Sequence, residues 1–253
     1  MAGRYREALA IWKTLGDDRE LANAYYNASF AFALSPEDPS AENYPDLEGL
    51  AYLEQARDLF RKVGDARGEA NALWGIGNYH YFRLHEGNGV DQFRTTLEMF
   101  HAAGDVTMEA WSLHMLGTAL LRNGAVDEAR GYIERAIRLF HAAGDASGLT
   151  LTLDDLSAVA VAAGDLPRAA RLRGAARNLT IETGAQLAGY VEDQFESGVR
   201  PGVRAVMSSD DLARYGAEGA AWTLDDAVAY ALEGTVPAAA RGAAETAGVA
   251  PEA

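Results

Sequence analysis

The chain has 253 residues, of which 49% are hydrophobic, so it is long enough to bury the core of one large domain or two small ones. Its lack of cysteine excludes disulfides, thiolate metal sites and a cysteine nucleophile. A net charge of −15 would repel nucleic acid, so nucleic acid is not expected as a direct partner. No apolar run is long enough to span a membrane, so no membrane association is expected. Because the N-terminus lacks a signal-peptide pattern, we expect a cytoplasmic location.

The first predicted element is a helix in GRYREALAIWKTLGD, which Gly16 ends. It has the pattern of the second helix of a hairpin whose first helix is absent, and half a hairpin leaves an apolar face uncovered. We therefore expect a fragment of a longer chain, with a degraded relative of such a chain as the alternative.

Residues 35–49, SPEDPSAENYPDLEG, interrupt the helical pattern. Three prolines remove backbone donors and clash with the preceding turn, so this segment cannot continue a helix. It is predicted to be an irregular insertion between two helices.

A repeat of about 40 residues organises the chain from residue 16 onward. The dipeptide Gly-Asp begins at residues 16, 64, 104 and 144, and the hexapeptide FHAAGD occurs at 100–105 and at 140–145. Thirteen residues after each of these glycines comes a small residue: Ser29, Gly77, Gly117 and Ser157. The period indicates one structural unit used repeatedly, with the insertion in the first.

Each unit is predicted to be a helical hairpin. In DEARGYIERAIRLFHAAGD the apolar residues follow helical spacing, Gly144 is suited to end the helix, and Asp145 is suited to cap the next. The segment TMEAWSLHMLGTALLRNG forms the partner helix and ends at Gly124. Helices of about 12–18 residues and essentially no sheet are expected. The predicted core residues are Phe60, Leu73, Trp74, Ile76, Phe100, Leu116, Leu120, Ile133, Ile137 and Phe140.

The rhythm ends at residue 183. Residues 184–234 still contain helical stretches, for which Ser209 or Asp210 and then Thr223 are the predicted N-caps. Residues 235–253 are rich in alanine and interrupted by proline, so they are predicted to be disordered.

The sequence around the small residues resembles the tetratricopeptide repeat (TPR) family in a longer, forty-residue form. Gly77 and Gly117 follow an aliphatic residue as in the family's Leu-Gly pair, and Ala129 and Ala169 take its small position early in the second helix. Over residues 3–183 this resemblance implies an all-α fold, a right-handed superhelix of antiparallel helical hairpins.

The closing segment also carries a resemblance. The strings AARLRGAARNL and EGAAWTLDDAVAYALE are similar to the C-terminal TPR region of multidomain transcriptional regulators, mostly actinobacterial. In those proteins an ATPase or cyclase module precedes the repeats, so the resemblance implies a bacterial source and such a module as partner. It implies no chemistry for the closing segment.

No catalytic motif is present, so we expect no enzymatic activity, no cofactor and no metal. The chain lacks a Gly-x-Ser-x-Gly elbow, a phosphate-binding loop and a His-Glu-x-x-His pair. The doublets Asp154-Asp155, Asp210-Asp211 and Asp225-Asp226 are interpreted as capping or solvated carboxylates. His101 and His141, beside the turns, are interpreted as solvated helix ends.

The candidate binding surface is aromatic and amide-rich. Most aromatic residues fall in the first 100 positions and occupy several helix faces, although core packing is the alternative explanation for them. Asparagines interleave with them on the first helices of two hairpins, which line the concave face in the TPR family. The candidate residues are Asn23, Tyr26, Asn27, Phe30, Asn71, Trp74, Asn78 and Tyr81. Two functions remain open, a scaffold for a peptide or protein partner and a small-molecule sensor that controls an attached ATPase or cyclase module.

Overall fold

All regular secondary structure in the described part of the chain is helical. The computed structural model describes residues 2–33, 47–84, 89–184 and 207–237, and these ranges contain no strand. Within each unit, most helices that follow one another in the sequence pack together, which is the arrangement of an α-solenoid. The predicted all-α class is therefore confirmed. The chain divides into two compact units, residues 1–123 and 124–253.

In unit 1 the short turns between successive helices make the helix pairs antiparallel. The third and fifth helices each pack between two neighbouring helices. A five-residue π-helix, His80–Leu84, continues the fourth helix. The α-helices of unit 1 are α1 Ala2–Leu15, α2 Asp18–Ala33, α3 Leu47–Lys62, α4 Ala66–Tyr79, α5 Val90–Ala103 and α6 Val106–Arg122.

In unit 2 two closing helices follow the last hairpins, and both pack against the ninth helix. The last closing helix also contacts the first helix of the unit. The α-helices of unit 2 are α7 Val126–Ala143, α8 Ala146–Ala162, α9 Leu166–Thr183, α10 Ser209–Ala220 and α11 Leu224–Glu233.

The repeated hexapeptide is a helix end joined to a helix start. Gly144 has φ 66°, a left-handed conformation that residues with a Cβ rarely adopt. The Asp145 N–H donates to the Phe140 carbonyl at 2.9 Å, which closes a Schellman motif six residues long. The Asp145 side chain then accepts a hydrogen bond from the Gly148 N–H at 2.9 Å and caps α8. Both predicted roles, for Gly144 and Asp145, are confirmed.

The predicted irregular insertion, residues 35–49, overlaps the start of a helix. Helix α3 begins at Leu47, so the last three residues of the predicted loop are helical. The last proline is Pro45, and nothing after it prevents helix formation. Residues 34–46, the rest of the insertion, lie outside the described residues.

Two of the small residues at the repeat offset, Gly77 and Ser157, lie where neighbouring helices approach closely. A Cβ on Gly77 would lie 2.8 Å from the ring of Phe93 on α5. In unit 2 the equivalent Ser157 donates its hydroxyl to the Ala169 carbonyl of α9 at 2.8 Å. Glycine and serine are both small enough at this position for the following helix to pack closely.

Eight of the ten predicted core residues are buried, but Leu73 and Trp74 are only half-buried. Helix α4 buries the face of Ala72, Ile76 and Tyr79, which are spaced by four and three residues. Leu73 and Trp74 are rotated away from that face, so they contribute less to the core than predicted.

One predicted cap of the closing helices is wrong and the other is confirmed. Neither Ser209 nor Asp210 caps α10, because the cap is Ser208, whose hydroxyl accepts from the Asp211 N–H at 3.1 Å. Thr223 caps α11 as predicted and forms a reciprocal capping box with Asp226. Beyond Pro237, the predicted disordered tail lies outside the described residues.

The position of this cap predicts unequal effects for two adjacent serines. Ser208→Ala should lower the free energy of unfolding by about 1 kcal/mol, because it removes the acceptor for the Asp211 N–H. Ser209→Ala should change it by less than about 0.5 kcal/mol, since Ser209 is exposed in the first turn. Urea unfolding of both variants measures the difference. Equal losses would contradict the assignment of the cap.

Candidate binding surface

The α2 candidates share one helix face. Asn23, Tyr26, Asn27 and Phe30 are spaced by three, one and three residues, which places them side by side along the helix. Asn27 is exposed, and Phe30 keeps 40% of its surface accessible. Tyr26 and Phe30 pack edge to face with ring centroids 5.0 Å apart. The result is an exposed phenylalanine ring, supported by a half-buried tyrosine, beside an exposed carboxamide.

Burial affects the chemistry of Tyr26. It raises the pKa of the Tyr26 phenol, because the charged phenolate would be poorly solvated there. A tyrosine hydroxyl is protonated at neutral pH even without such a shift, so the Tyr26 hydroxyl is able to donate a hydrogen bond. An aromatic body with a polar tip is the chemistry enriched at protein interfaces.

The α4 candidates also share a face. Asn71, Trp74 and Asn78, spaced by three and four residues, are all half-buried. The Asn78 side-chain amide donates to the Trp74 carbonyl at 3.1 Å, which orients its carboxamide. The Trp74 indole N–H is buried and has no hydrogen-bond partner among the described residues. A buried unsatisfied donor is unusual in native proteins, so this indole is a candidate contact for a water or a bound group.

Tyr81 differs from the other candidates, because it is buried, with 8% of its surface accessible. Arg122 at the end of α6 stacks on its ring, 3.7 Å from the centroid, and donates to the Tyr81 carbonyl at 2.7 Å. Tyr81 also packs edge to face on Phe82. This residue joins the π-helix to α6, and it offers less surface to a ligand than the remaining seven candidates.

The two candidate faces lie on α2 and α4, which both pack on α3 and touch each other at only a few residues. Within the described ranges no hydrogen bond joins a candidate on α2 to one on α4. We define the unit 1 amide-aromatic surface as the α2 residues Asn23, Tyr26, Asn27 and Phe30 together with the α4 residues Asn71, Trp74 and Asn78.

The interpretation of one aspartate doublet, Asp154-Asp155, as solvated or capping carboxylates is wrong for Asp154. Asp154 is neither solvated nor a cap, because it is 7% exposed in the middle of α8 and forms an ion pair with Arg173 of α9. The signal was present in the sequence, since these residues lie ten and nine positions from the turn glycine, Gly164, and therefore face each other in a hairpin. The other two doublets lie in the first turns of α10 and α11, where carboxylates complement the helix dipole.

The turn histidines have acidic partners. His101 contacts Glu109 at 3.1 Å and His141 contacts Asp225 at 2.8 Å, and both rings are exposed. A separate buried histidine, His114, packs edge to face against Trp111. In the described part of the chain no cluster of three or more potential ligand residues is arranged to hold a metal ion.

Unit 2 contains a small open cleft of about 240 Å³ between α7, α8, α9 and α11. Its polar part is lined by two arginines, Arg130 and Arg168, and by three acids, Glu134, Asp165 and Glu233. Arg168 is already engaged, because it donates to the Ala231 carbonyl at 2.7 Å. The volume lies below the roughly 300–1,000 Å³ of most small-molecule sites.

Comparison with known proteins does not identify a family. No protein-family model matches this sequence, and no curated protein matches it significantly. None of the helices in the described ranges combines the length and the apolarity needed to cross a membrane.

Proposed function

We propose that this chain is a non-catalytic, TPR-like scaffold that binds a peptide or protein on the unit 1 amide-aromatic surface. The observation that carries the proposal is the exposed Phe30 ring, held edge to face by the half-buried Tyr26, next to the exposed Asn27. Aromatic residues dominate interface energies, and carboxamides match the donors and acceptors of a peptide backbone. The resemblance to regulators supports a regulatory role in a larger bacterial, cytoplasmic protein with an ATPase or cyclase module.

The alternative function is a small-molecule sensor that controls such a module. The cleft in unit 2 is the observation that favours it, but its small volume and the engaged Arg168 make it a poorer site than the unit 1 surface. The acidic net charge favours neutral or basic ligands in either case.

Selection of a phage-displayed random peptide library on the full chain tests the scaffold proposal. For the selected peptides, Phe30→Ala should weaken binding by roughly tenfold or more, because it removes an aromatic anchor. Asn27→Ala and Asn78→Ala should each weaken it by about three- to tenfold, as expected for a lost hydrogen bond. Fluorescence anisotropy with labelled peptides measures these affinities.

The matched control is Val106→Ala, which truncates another apolar residue of unit 1 that is 50% exposed but lies outside the surface. It should leave peptide affinity unchanged. If all three surface variants behave like this control, the proposed site is wrong. A metabolite that stabilises the chain by about 2.7 kcal/mol at 100 times its dissociation constant, together with no selected peptides, would favour the sensor instead.

A further inference from the structure

The cleft of unit 2 combines an apolar part with a charged wall. Leu156, Val159 and Ala160 of α8 line the apolar part, and each is 2% exposed or less. The charged side chains come from the helices around it, α7, α9 and α11, and from the N-cap of α9. The charged wall of the cleft is defined by Arg130, Glu134, Asp165, Arg168 and Glu233.

The opposite charges of this wall do not pair with one another. Two guanidinium groups and three carboxylates line the same cleft, yet within the described ranges no ion pair joins any two of them. Arg130 and Glu134 are half-buried and one turn apart on α7, with the cation on the N-terminal side, which is the less favourable order for such a pair. The Glu134 carboxylate instead lies 3.8 Å from the Arg138 guanidinium, near the limit for an ion pair. The wall therefore offers charges of both signs to a ligand.

The volume of the cleft selects a compact ligand. A cleft of about 240 Å³ corresponds to about eight water volumes. This is room for a molecule the size of one aliphatic amino acid rather than for a peptide chain. The apolar part, which Leu232 of α11 completes, matches an aliphatic side chain.

The mixture of charges selects the charge of that ligand. An anion would meet three carboxylates and a cation would meet two arginines, so a ligand with one charge would face like charges. A zwitterion can place its carboxylate on a guanidinium and its ammonium group on a carboxylate, and both contacts are charge-assisted hydrogen bonds. A metal ion is a poorer occupant, because in the part of the chain that the structure describes no three ligand residues, these carboxylates included, are grouped to hold one.

We propose that the cleft of unit 2 binds a small zwitterion, an α-amino acid with an aliphatic side chain. Arg130 receives its carboxylate, Glu134 receives its ammonium group, and Leu156 and Val159 contact its side chain. Arg130 and Glu134 are suited to one bound molecule, because residues four apart on a helix hold their Cβ atoms about 5–6 Å apart. The site goes beyond the proposed scaffold function and is independent of it, since every residue that lines the cleft belongs to unit 2.

The probe is L-leucine, titrated into the full ¹⁵N-labelled chain and followed by ¹H–¹⁵N NMR spectroscopy. Saturable shifts are expected for amides at the cleft, in residues 130–134, 156–165 and 232–234. Leucinamide lacks the carboxylate and N-acetyl-leucine lacks the ammonium group, so each should bind at least roughly tenfold more weakly than leucine. Glycine should also bind about tenfold more weakly, because it has no side chain for the apolar part.

Substitutions on α7 test the roles of the two charged residues. Arg130→Gln should weaken leucine binding at least roughly tenfold, because it removes the cation that receives the carboxylate, and Glu134→Gln should weaken it by about three- to tenfold. Arg135→Gln is the matched control on the same helix, since Arg135 is exposed and does not line the cleft. It should bind leucine as the parent chain does. Thermal melting verifies that the variants remain folded, and the leucine analogues test the charge requirement on the parent chain without any substitution.

Several results would overturn the proposal. They are the absence of saturable shifts up to the solubility limit of leucine, shifts confined to residues away from the cleft, and equal affinities of the Arg130→Gln and Arg135→Gln chains. Equal binding of leucine and leucinamide would replace the zwitterion by a cation, and equal binding of leucine and N-acetyl-leucine would replace it by an anion. None of these results bears on peptide binding by the unit 1 amide-aromatic surface, so the two proposals fail separately.

Discussion

Replacing Phe140 with alanine is expected to lower the free energy of unfolding by about 3–5 kcal/mol. Phe140 is 1% exposed and closes the α7–α8 hairpin. Its ring lies against Gly148, where an added Cβ would come within 2.4 Å of the ring. The backbone is already held by the Schellman motif, so the surrounding helices cannot collapse freely into the space that the ring leaves. Urea unfolding followed by far-ultraviolet circular dichroism measures the loss.

Ile181→Ala is the control for this experiment. Ile181 also lies in unit 2, but it is 78% exposed, so its truncation should change stability by less than about 0.5 kcal/mol. If Phe140→Ala cost no more than this control, the Phe140 ring would not be part of a close-packed core. Gly148→Ala should also destabilise, because its Cβ would overlap the ring.

The second large effect is expected where α10 crosses α9. A Cβ on Gly219 would lie 1.9 Å from the Arg171 carbonyl oxygen, and one on Gly174 would lie 2.0 Å from the Gly216 carbonyl oxygen. These are backbone atoms, which cannot move aside as a flexible side chain would. Gly219→Ala should therefore destabilise unit 2 by about 1–3 kcal/mol or more, although alanine is the better helix former.

Gly216→Ala, three residues earlier on α10, provides a control with the opposite expected sign. Its Cβ would meet the nearest atom, the Ala170 carbonyl oxygen, at 4.0 Å, which is ordinary contact. Alanine should then stabilise the helix by up to about 1 kcal/mol. Hydrogen exchange of residues 209–220 should become faster in the Gly219 variant and not in the Gly216 variant. The same change in both would contradict the close crossing.

Side-chain contacts between α9 and α10 also hold α10 in this position. Arg171 pairs with Glu218 at 2.8 Å and stacks on Tyr215 at 4.5 Å, and both partners lie on α10. Burial opposes the charge of Arg171, but hydrogen bonding to Glu218 and to Tyr230 outweighs it and raises the pKa of the guanidinium. A displaced α10 would deprive this half-buried guanidinium of its ion-pair partner Glu218, which adds to the cost of the Gly219→Ala clash.

Much of the candidate surface could be predicted, because it depends on spacing along single helices. The order Asn23, Tyr26, Asn27, Phe30 places these residues on one face of α2 whatever α2 packs against. Exposure was harder to predict. Tyr81 is buried because Arg122, 41 residues away, stacks on it, and such a contact has no local signal.

The helical class, the repeat period, the turns at Gly104 and Gly144 and most of the core could be predicted from the amino-acid sequence. Each of these follows from local physics: a left-handed glycine ends a helix, an aspartate caps the next, and apolar residues at helical spacing need cover. The tertiary structure alone decided which polar pairs are buried, as with Asp154 and Arg173, and where helix backbones touch, as at Gly174 and Gly219. These features join residues that are distant along the chain, so they exist only once the helices have packed.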